Sequence, residues 1–315
     1  MKGLSSLRNW SSMMAPPSLA RSFPLLVGLG LVLAWARPVQ AIDLIPTDVI
    51  PPPPGLSAVM LGYNTSHRGN FYREGERLDI GARLDIDQIL LRLGHAFDWD
   101  GRPSYFYAQL SNVHIHPGGA LGVVDDQTGF GDLTLALATW PYVDREAGRY
   151  AGMAAYLSLP TGSYDPLHTV GLNTNAGGNR FLGALQAGYG QRLVKDLEWM
   201  LAADVVMFGD NDEYLGSQPE MGTLQQQPLF NAQTALTYRF HPAFSMSLNY
   251  FYNAGGASRT DLTPWTGDIR VQRYSLLGTV NFPIGRMTLE YGGDLQTENG
   301  FFEDQRWSLR FTYFF

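Results

Sequence analysis

The last thirteen residues of the chain, 303–315, alternate apolar and polar side chains and stop on a phenylalanine. Trp307, Leu309, Phe311, Tyr313 and Phe315 share one face of an extended strand, while Arg306, Ser308, Arg310 and Thr312 share the other. Successive side chains of a strand point to opposite faces, so this strand has one face for an apolar medium and one for a polar one. A strand of this length that closes the chain on an aromatic residue suits the final strand of a transmembrane β-barrel. The plainer alternative is the edge strand of a sandwich.

Composition favours the barrel. Only 16% of residues are charged, against 13% aromatic and 35 glycines, as expected where one face of every strand meets lipid and tight turns recur. The absence of cysteine removes disulfides, thiolate metal sites and Cys nucleophiles, and suits export through an oxidising compartment.

Residues 1–41 carry the pattern of a cleaved signal peptide. Lys2, Arg8 and Arg21 make a positive start, Leu25 to Trp35 an apolar stretch, and Val39-Gln40-Ala41 a small-x-small cleavage site. The apolar stretch is about eleven residues, short of the roughly 20 needed to span a bilayer as a helix. Cleavage after Ala41 leaves 18 basic against 29 acidic residues, a net charge of −11, which argues against nucleic acid as a partner. Pro51 to Pro54 then form a stiff extended spacer.

Alternation dominates the remainder. Phe230, Leu236, Tyr238 and Phe240 oppose Asn231, Gln233, Thr237 and Arg239; Phe244, Met246, Leu248, Tyr250 and Tyr252 oppose Ser245, Ser247 and Asn249. Met287, Leu289, Tyr291 and Leu295 oppose Thr288, Glu290, Asp294 and Gln296, and Leu197, Trp199, Leu201, Val205 and Met207 oppose Glu198 and Asp204. Further strands are expected at 77–86, 88–98, 104–116, 131–140, 149–160, 180–192 and 269–283. Between the first two the apolar phase flips from Leu78, Ile80 and Leu84 to Ile89, Leu91 and Leu93, which predicts a hairpin at Asp85-Ile86-Asp87.

The expected fold is therefore all-β: an antiparallel up-and-down transmembrane barrel of about twelve strands, with ten and fourteen as neighbouring even counts. From Tyr150 onward short connections (193–196, 241–243, 284–286) alternate with long ones (161–179, 209–227, 255–268), as periplasmic turns alternate with external loops. The domain division is a signal peptide at 1–41, a segment at 42–73 under or inside the barrel, and the barrel at 74–315. Leu56 to Asn64 do not alternate and are assigned to that inner segment.

Four short motifs recur in order: Gly129-Phe130-Gly131-Asp132-Leu133, Leu157-Ser158-Leu159-Pro160-Thr161-Gly162, Asn173-Thr174-Asn175-Ala176-Gly177-Gly178-Asn179-Arg180, and Gln186-Ala187-Gly188-Tyr189-Gly190. Together they resemble the outer-membrane barrel family named for the meta-pathway of phenol degradation, over roughly residues 75–315. The resemblance implies an outer-membrane channel that carries hydrophobic or aromatic compounds, in the manner of the long-chain fatty-acid channels. The residues matched to the family motifs are Gly129, Gly131, Asp132, Pro160, Thr161, Gly162, Asn179 and Arg180. Physically, Pro160 and Gly162 mark a strand end turning into a loop, and the Asn/Gly run suits a loop held by side-chain-to-backbone bonds.

The polar faces predict lumen-facing charges of both signs: Arg77, Asp79, Arg83, Asp132, Arg180, Arg192, Glu198, Asp204, Arg239, Arg273, Glu290, Asp294, Arg306 and Arg310. Such charges form an ion-pair lattice or a charged eyelet, and mixed sign disfavours strong ion selectivity. Phe208, Tyr214, Trp265, Phe301 and Phe302 could build an apolar pocket at the outer rim or belong to the interfacial girdle. His114 and His116 share a strand face, but two ligands do not make a metal site, so no metal and no cofactor is expected. His168 beside Asp165 is the nearest approach to a catalytic pair, and without a Gly-x-Ser-x-Gly elbow no enzyme is expected. The expected partners are outer-membrane lipids and lipopolysaccharide, the outer-membrane assembly machinery acting on the strand ending at Phe315, and a small-molecule solute. Two rivals to a channel remain open: a structural or adhesive barrel with a closed lumen, and an outer-membrane hydrolase.

Overall fold

The computed structural model describes residues 42–315 apart from 171, 217–219 and 262, so the expected signal peptide lies outside the described residues. Among the described residues, twelve long antiparallel strands form one closed wall. They are β1 (Ser57–Arg68), β2 (Ala82–Trp99), β3 (Arg102–Gly119), β4 (Leu133–Asp144), β5 (Arg149–Leu159) and β6 (Leu182–Val194). The second half holds β7 (Leu197–Phe208), β8 (Leu229–His241), β9 (Phe244–Gly255), β10 (Ile269–Phe282), β11 (Gly285–Thr297) and β12 (Gln305–Phe314). Each strand pairs with its sequence neighbour, and β1 closes the cylinder on β12 from Ala58↔Phe314 to His67↔Gln305. Among the described residues no helix is long and apolar enough to cross a membrane. Inside hydrocarbon an unpaired N–H or C=O costs several kcal/mol, which only a closed wall avoids.

The faces divide as the alternation predicts. Leu201, Leu236, Leu248, Leu276, Leu289 and Leu309 are exposed on the outside, while Ala235, Thr237, Ser247, Asn249, Ser275, Thr288 and Ser308 are buried on the inside of the same strands. The total of twelve stands, but two of its parts are corrected. Ser57–Arg68, assigned above to an inner segment, is the first wall strand, paired on both sides; the wall therefore begins at Ser57 rather than at 74. The predicted hairpin at 85–87 does not exist. β2 runs through it, in unbroken register with β1 from Ser57↔His95 to Arg68↔Leu84 and with β3 from Ala82↔Gly119 to Trp99↔Arg102.

The phase flip has another cause. Odd positions of β2 face outward along its whole length, but the strand outruns the membrane. Ile89, Leu91 and Leu93 face lipid, whereas Arg83, Asp85 and Asp87 face water beyond it. Within the mouth, Leu84 is 2% exposed and belongs with Ile86 to an apolar cluster. The environments exchange while the parity stays. The first wall strand was expected to start at 77; residues 70–78 instead make a rim hairpin (Asn70–Arg73 with Glu76–Leu78) joined by Gly300–Phe302.

At the other end the connections are tight. Asp100 and Gly101, both at positive φ (52° and 75°), turn β2 into β3, and Asp98 caps the turn by accepting from Gly101 N at 2.7 Å. The lipid face yields a test. Leu248 sits in a ring with Leu236 and Leu276, between the aromatic positions Phe244 and Tyr250 of its own strand. Leu248→Arg should cost about 2–4 kcal/mol of folding free energy in phospholipid vesicles, measured by reversible urea unfolding. An unchanged unfolding curve would place this face away from lipid.

Candidate transport path

Residues 42–56 enter the barrel and run along its inside. Gly55 N donates to Ala96 O at the periplasmic rim (2.7 Å), and from there the four prolines lead the chain inward to a single helical turn, Pro46–Val49. Proline suits this stretch because it fixes an extended backbone and presents no N–H needing a partner. The wall grips the segment at many points. Gln233 accepts from Leu44 N (3.0 Å) and donates to Leu44 O (2.9 Å); Gln186 donates to Ile42 O (3.0 Å); Trp140 Nε1 donates to Val49 O (2.8 Å); Arg286 donates to Thr47 Oγ1 (2.6 Å). Asp43 is held by both terminal nitrogens of Arg273, at 2.8 and 3.0 Å, with Arg306 at 3.5 Å. A bidentate guanidinium–carboxylate pair away from bulk water is among the stronger polar contacts available. The glycines of the Gln186–Gly190 motif make room for this segment: a Cβ on Gly190 would fall 2.6 Å from Val49 Cγ2.

Between the segment and the wall lies a cavity of about 490 Å³, lined by Leu44, Met60, Tyr105, Tyr107, Trp140 and Tyr156. Arg92 also lines it, its guanidinium stacked on Tyr107 at 4.1 Å. Arg145, Arg286, Arg310 and Asp48 line it as well, so the chamber pairs an aromatic and aliphatic wall with several charged groups.

The predicted lumen charges occupy distinct levels. Arg273, Glu290, Asp294 and Asp204 are buried inside the wall. Arg306 bridges Asp43, Glu290 (3.8 Å) and Glu303 (3.7 Å), Arg310 reaches Glu290 (3.8 Å), and Arg68 reaches Glu303 (3.0 Å). Both signs thus pair across strands, and the lattice extends to a residue that the sequence did not single out, Asp43. Asp204 accepts from Asn231 (2.6 Å) and Gln186 (3.3 Å). Burial alone would raise the Glu303 carboxyl, but Arg68, Arg306 and Arg273 outweigh it and hold it below the ordinary 4.5. A depressed carboxyl adds stability above its unfolded value and loses it only as pH falls through the folded one, so these contacts persist at neutral pH. Arg192, Glu198 and Arg239 lie on the lumen face but at the periplasmic rim, with Glu198 and Arg239 2.7 Å apart. Four expectations are corrected. Arg77 and Asp79 belong to the exposed rim hairpin and its exit, Arg83 faces outward beside Asp85 (3.1 Å), and Asp132 binds backbone rather than lining the lumen.

Asp132 explains why the family-motif residues occur together. Its two carboxylate oxygens accept from Gly162 N and Gly178 N, each at 2.8 Å, tying the start and end of the 160–181 loop to the foot of β4. The knot is dense. A Cβ on Gly162 would meet Gly177 Cα at 2.7 Å, one on Gly129 would meet Ser163 Cβ at 2.6 Å, and one on Gly131 would meet Ser111 Oγ at 2.3 Å. Pro160 follows the end of β5, and Thr161 Oγ1 accepts from Leu133 N (3.0 Å). Asn179, at φ 51°, donates to Asn211 and Glu213, both at 3.1 Å. Arg180, expected in the charge lattice, is instead buried between the Phe208 ring (4.7 Å) and Gln226.

The knotted loop turns inward. Leu172 (1% exposed) joins Leu121, Phe71, Leu84, Val113 and Ile115 in the apolar cluster at the outer mouth. Phe301 packs edge-on to Phe71 there, ring centroids 5.2 Å apart, so it is neither girdle nor open pocket. Tyr214 is buried, Phe302 meets Tyr72 (5.7 Å), and Trp265 lies under Arg259 (4.5 Å). The five aromatics do not converge on one pocket; the chamber is built by Tyr105, Tyr107 and Tyr156, which sequence reasoning passed over. Their inward faces on β3 and β5 were the available signal.

Asp165 caps the turn Pro166–Thr169 by accepting from Leu167 N (2.8 Å), which accounts for its place beside His168. His114 and His116 do share an outward face. A residue ten positions along the chain, Asp126, joins them: its Oδ2 lies 2.8 Å from His116 Nδ1.

The knot can be tested directly. Asp132→Ala leaves two half-buried N–H groups without their carboxylate partner and should cost about 1–3 kcal/mol, with new protease cleavage inside 160–181 on intact cells. Wild-type protease resistance in this variant would show that Asp132 does not hold the loop.

Comparison with known proteins agrees with this architecture. The chain resembles the COG4313 outer membrane channel from Pseudomonas putida F1, with 25% identity, a TM-score of 0.81, and coverage of 87% of this chain and 100% of that one. The β domain of the Bordetella autotransporter BrkA shares the fold at 10% identity and TM-score 0.50, covering 83% of this chain and 100% of that one. No curated protein matches the chain. The family model described as "Putative MetA-pathway of phenol degradation" matches residues 66–311. The chain belongs to that family, and it is an outer-membrane channel of β-barrel fold.

Proposed function

We propose that this channel admits small apolar or aromatic compounds passively, and that they rest in the chamber between the lumenal segment and the wall. The observation that carries this reading is the apolar part of the chamber's lining: Met60, Tyr105, Tyr107, Trp140 and Tyr156 face a space of about 490 Å³, with Arg92, Arg145, Arg286 and Arg310 on its remaining wall. A hydrophobic solute gains nothing from a water-filled pore, whereas burial of apolar surface yields roughly 25 cal/mol per Å². Residues 42–56 act as the inner gate, with the Asp43–Arg273 pair as its latch. The lipid band meets outer-membrane lipids and lipopolysaccharide, and the exposed terminal Phe315 on the closing strand is what the assembly machinery engages.

The inner segment and the apolar mouth cluster also favour a second reading, a structural barrel whose lumen stays closed. A catalytic reading has less support, since Asp165 serves a turn.

Two measurements decide. Uptake of a panel of aromatic and aliphatic compounds should rise in cells that carry the protein, and Met60→Lys should lower it roughly tenfold or more, equivalent to about 1.4 kcal/mol of lost binding. Deleting residues 42–50 should raise single-channel conductance severalfold. A protein-independent uptake panel would sink the transport reading. Unchanged conductance in the deletion would sink the gate.

A further inference from the structure

We propose that His114, His116 and Asp126 form a binding site for a divalent transition-metal ion of the zinc class on the outer wall, above the lipid band. The proposal is independent of the transport reading. β3 outruns the membrane just as β2 does, so its inward residues Val113 and Ile115 enter the mouth cluster while the intervening His114 and His116 face outward. Asp126 arrives from the loop that follows β3, immediately before the short strand Gln127–Phe130, which pairs back on β3 through His114↔Thr128 and Ile115↔Gln127. One potential ligand atom from each of the three residues lies within 4.8 Å of the others.

The imidazole rings lie 3.8 Å apart, centroid to centroid, and the carboxylate is already 2.8 Å from His116 Nδ1. Tetrahedral zinc with ligands at about 2.0–2.2 Å sets them about 3.3 Å apart, a contraction that small side-chain rotations supply. Asp87, directly across the sheet from His114, stands on the other side of the His116 ring, its Oδ2 3.9 Å from Nε2 and its Oδ1 fixed by the Tyr63 hydroxyl at 2.7 Å, so it orients that imidazole rather than sharing the ion with Asp126. A carboxylate on the far nitrogen of a ligating histidine is a common feature of metal sites. Two imidazoles with one carboxylate suit zinc, copper or nickel, whereas calcium and magnesium prefer all-oxygen sets. The same loop carries Leu121, which is 2% exposed in the mouth cluster, so a bound ion would clamp to the wall the loop that helps cover the channel's mouth.

The test is a calorimetric titration of ZnCl₂ into the chelator-stripped, detergent-solubilised protein. One saturable site is expected, with affinity reduced at least tenfold by His114→Ala together with His116→Ala, reduced also by Asp126→Asn, and unchanged by His168→Ala. Bound zinc should slow protease cleavage within 119–126 in the wild type alone. Absence of saturable binding would overturn the site, and so would full affinity in the double variant. Should that variant not fold, Asp126→Asn decides alone, and full affinity there would overturn the assignment.

Discussion

The pairing of β1 with β12 is the contact on which the structure depends. Eleven of the twelve wall pairings join strands adjacent in the sequence; only this one brings the start of the wall to its end. Without it two edges would present unpaired N–H and C=O groups to lipid, at several kcal/mol each. Closure also defines an inside, which lets Arg273, Glu290 and Ser308 be buried while Leu276, Leu289 and Leu309 on the same strands are exposed. The lumen, its charge lattice and the chamber all follow from that separation.

Much of this was legible in the sequence because period-2 alternation reports side-chain parity and environment together. It worked wherever both environments are constant, as in β8, β9 and β11. It failed at β2, where the strand leaves the membrane and the media on its two faces exchange; the parity of Ile86 and Ile89 never changed, only what surrounds them. It failed again at β1, where Met60 faces the chamber and Leu61 faces lipid, so neither face reads as polar. The inward apolar residues that hid this strand also line the candidate site. The even total survived because one strand was missed and another divided in two.

The candidate site was less legible for a related reason. Alternation identifies a lumen face without saying what fills the lumen. Asp43 lies in a segment with no periodicity, and its partners Arg273 and Arg306 are more than two hundred positions away. Likewise the glycines of the family motifs read as generic turn formers, yet their common property is close packing. Gly162 lies against Gly177, Gly129 against Ser163 and Gly190 against Val49. Such contacts become visible only once Asp132 and the inner segment have been placed.

The two ends of the lumen are closed by different chemistry, and that difference bears on how a solute passes. The periplasmic half is held by directional bonds to Asp43, Leu44, Thr47 and Val49, which release together or hardly at all, because freeing one buried charge leaves Arg273 uncompensated. The outer mouth is held by Leu172, Leu121 and Phe71, apolar side chains whose contacts are non-directional and can be exchanged for those of an apolar solute.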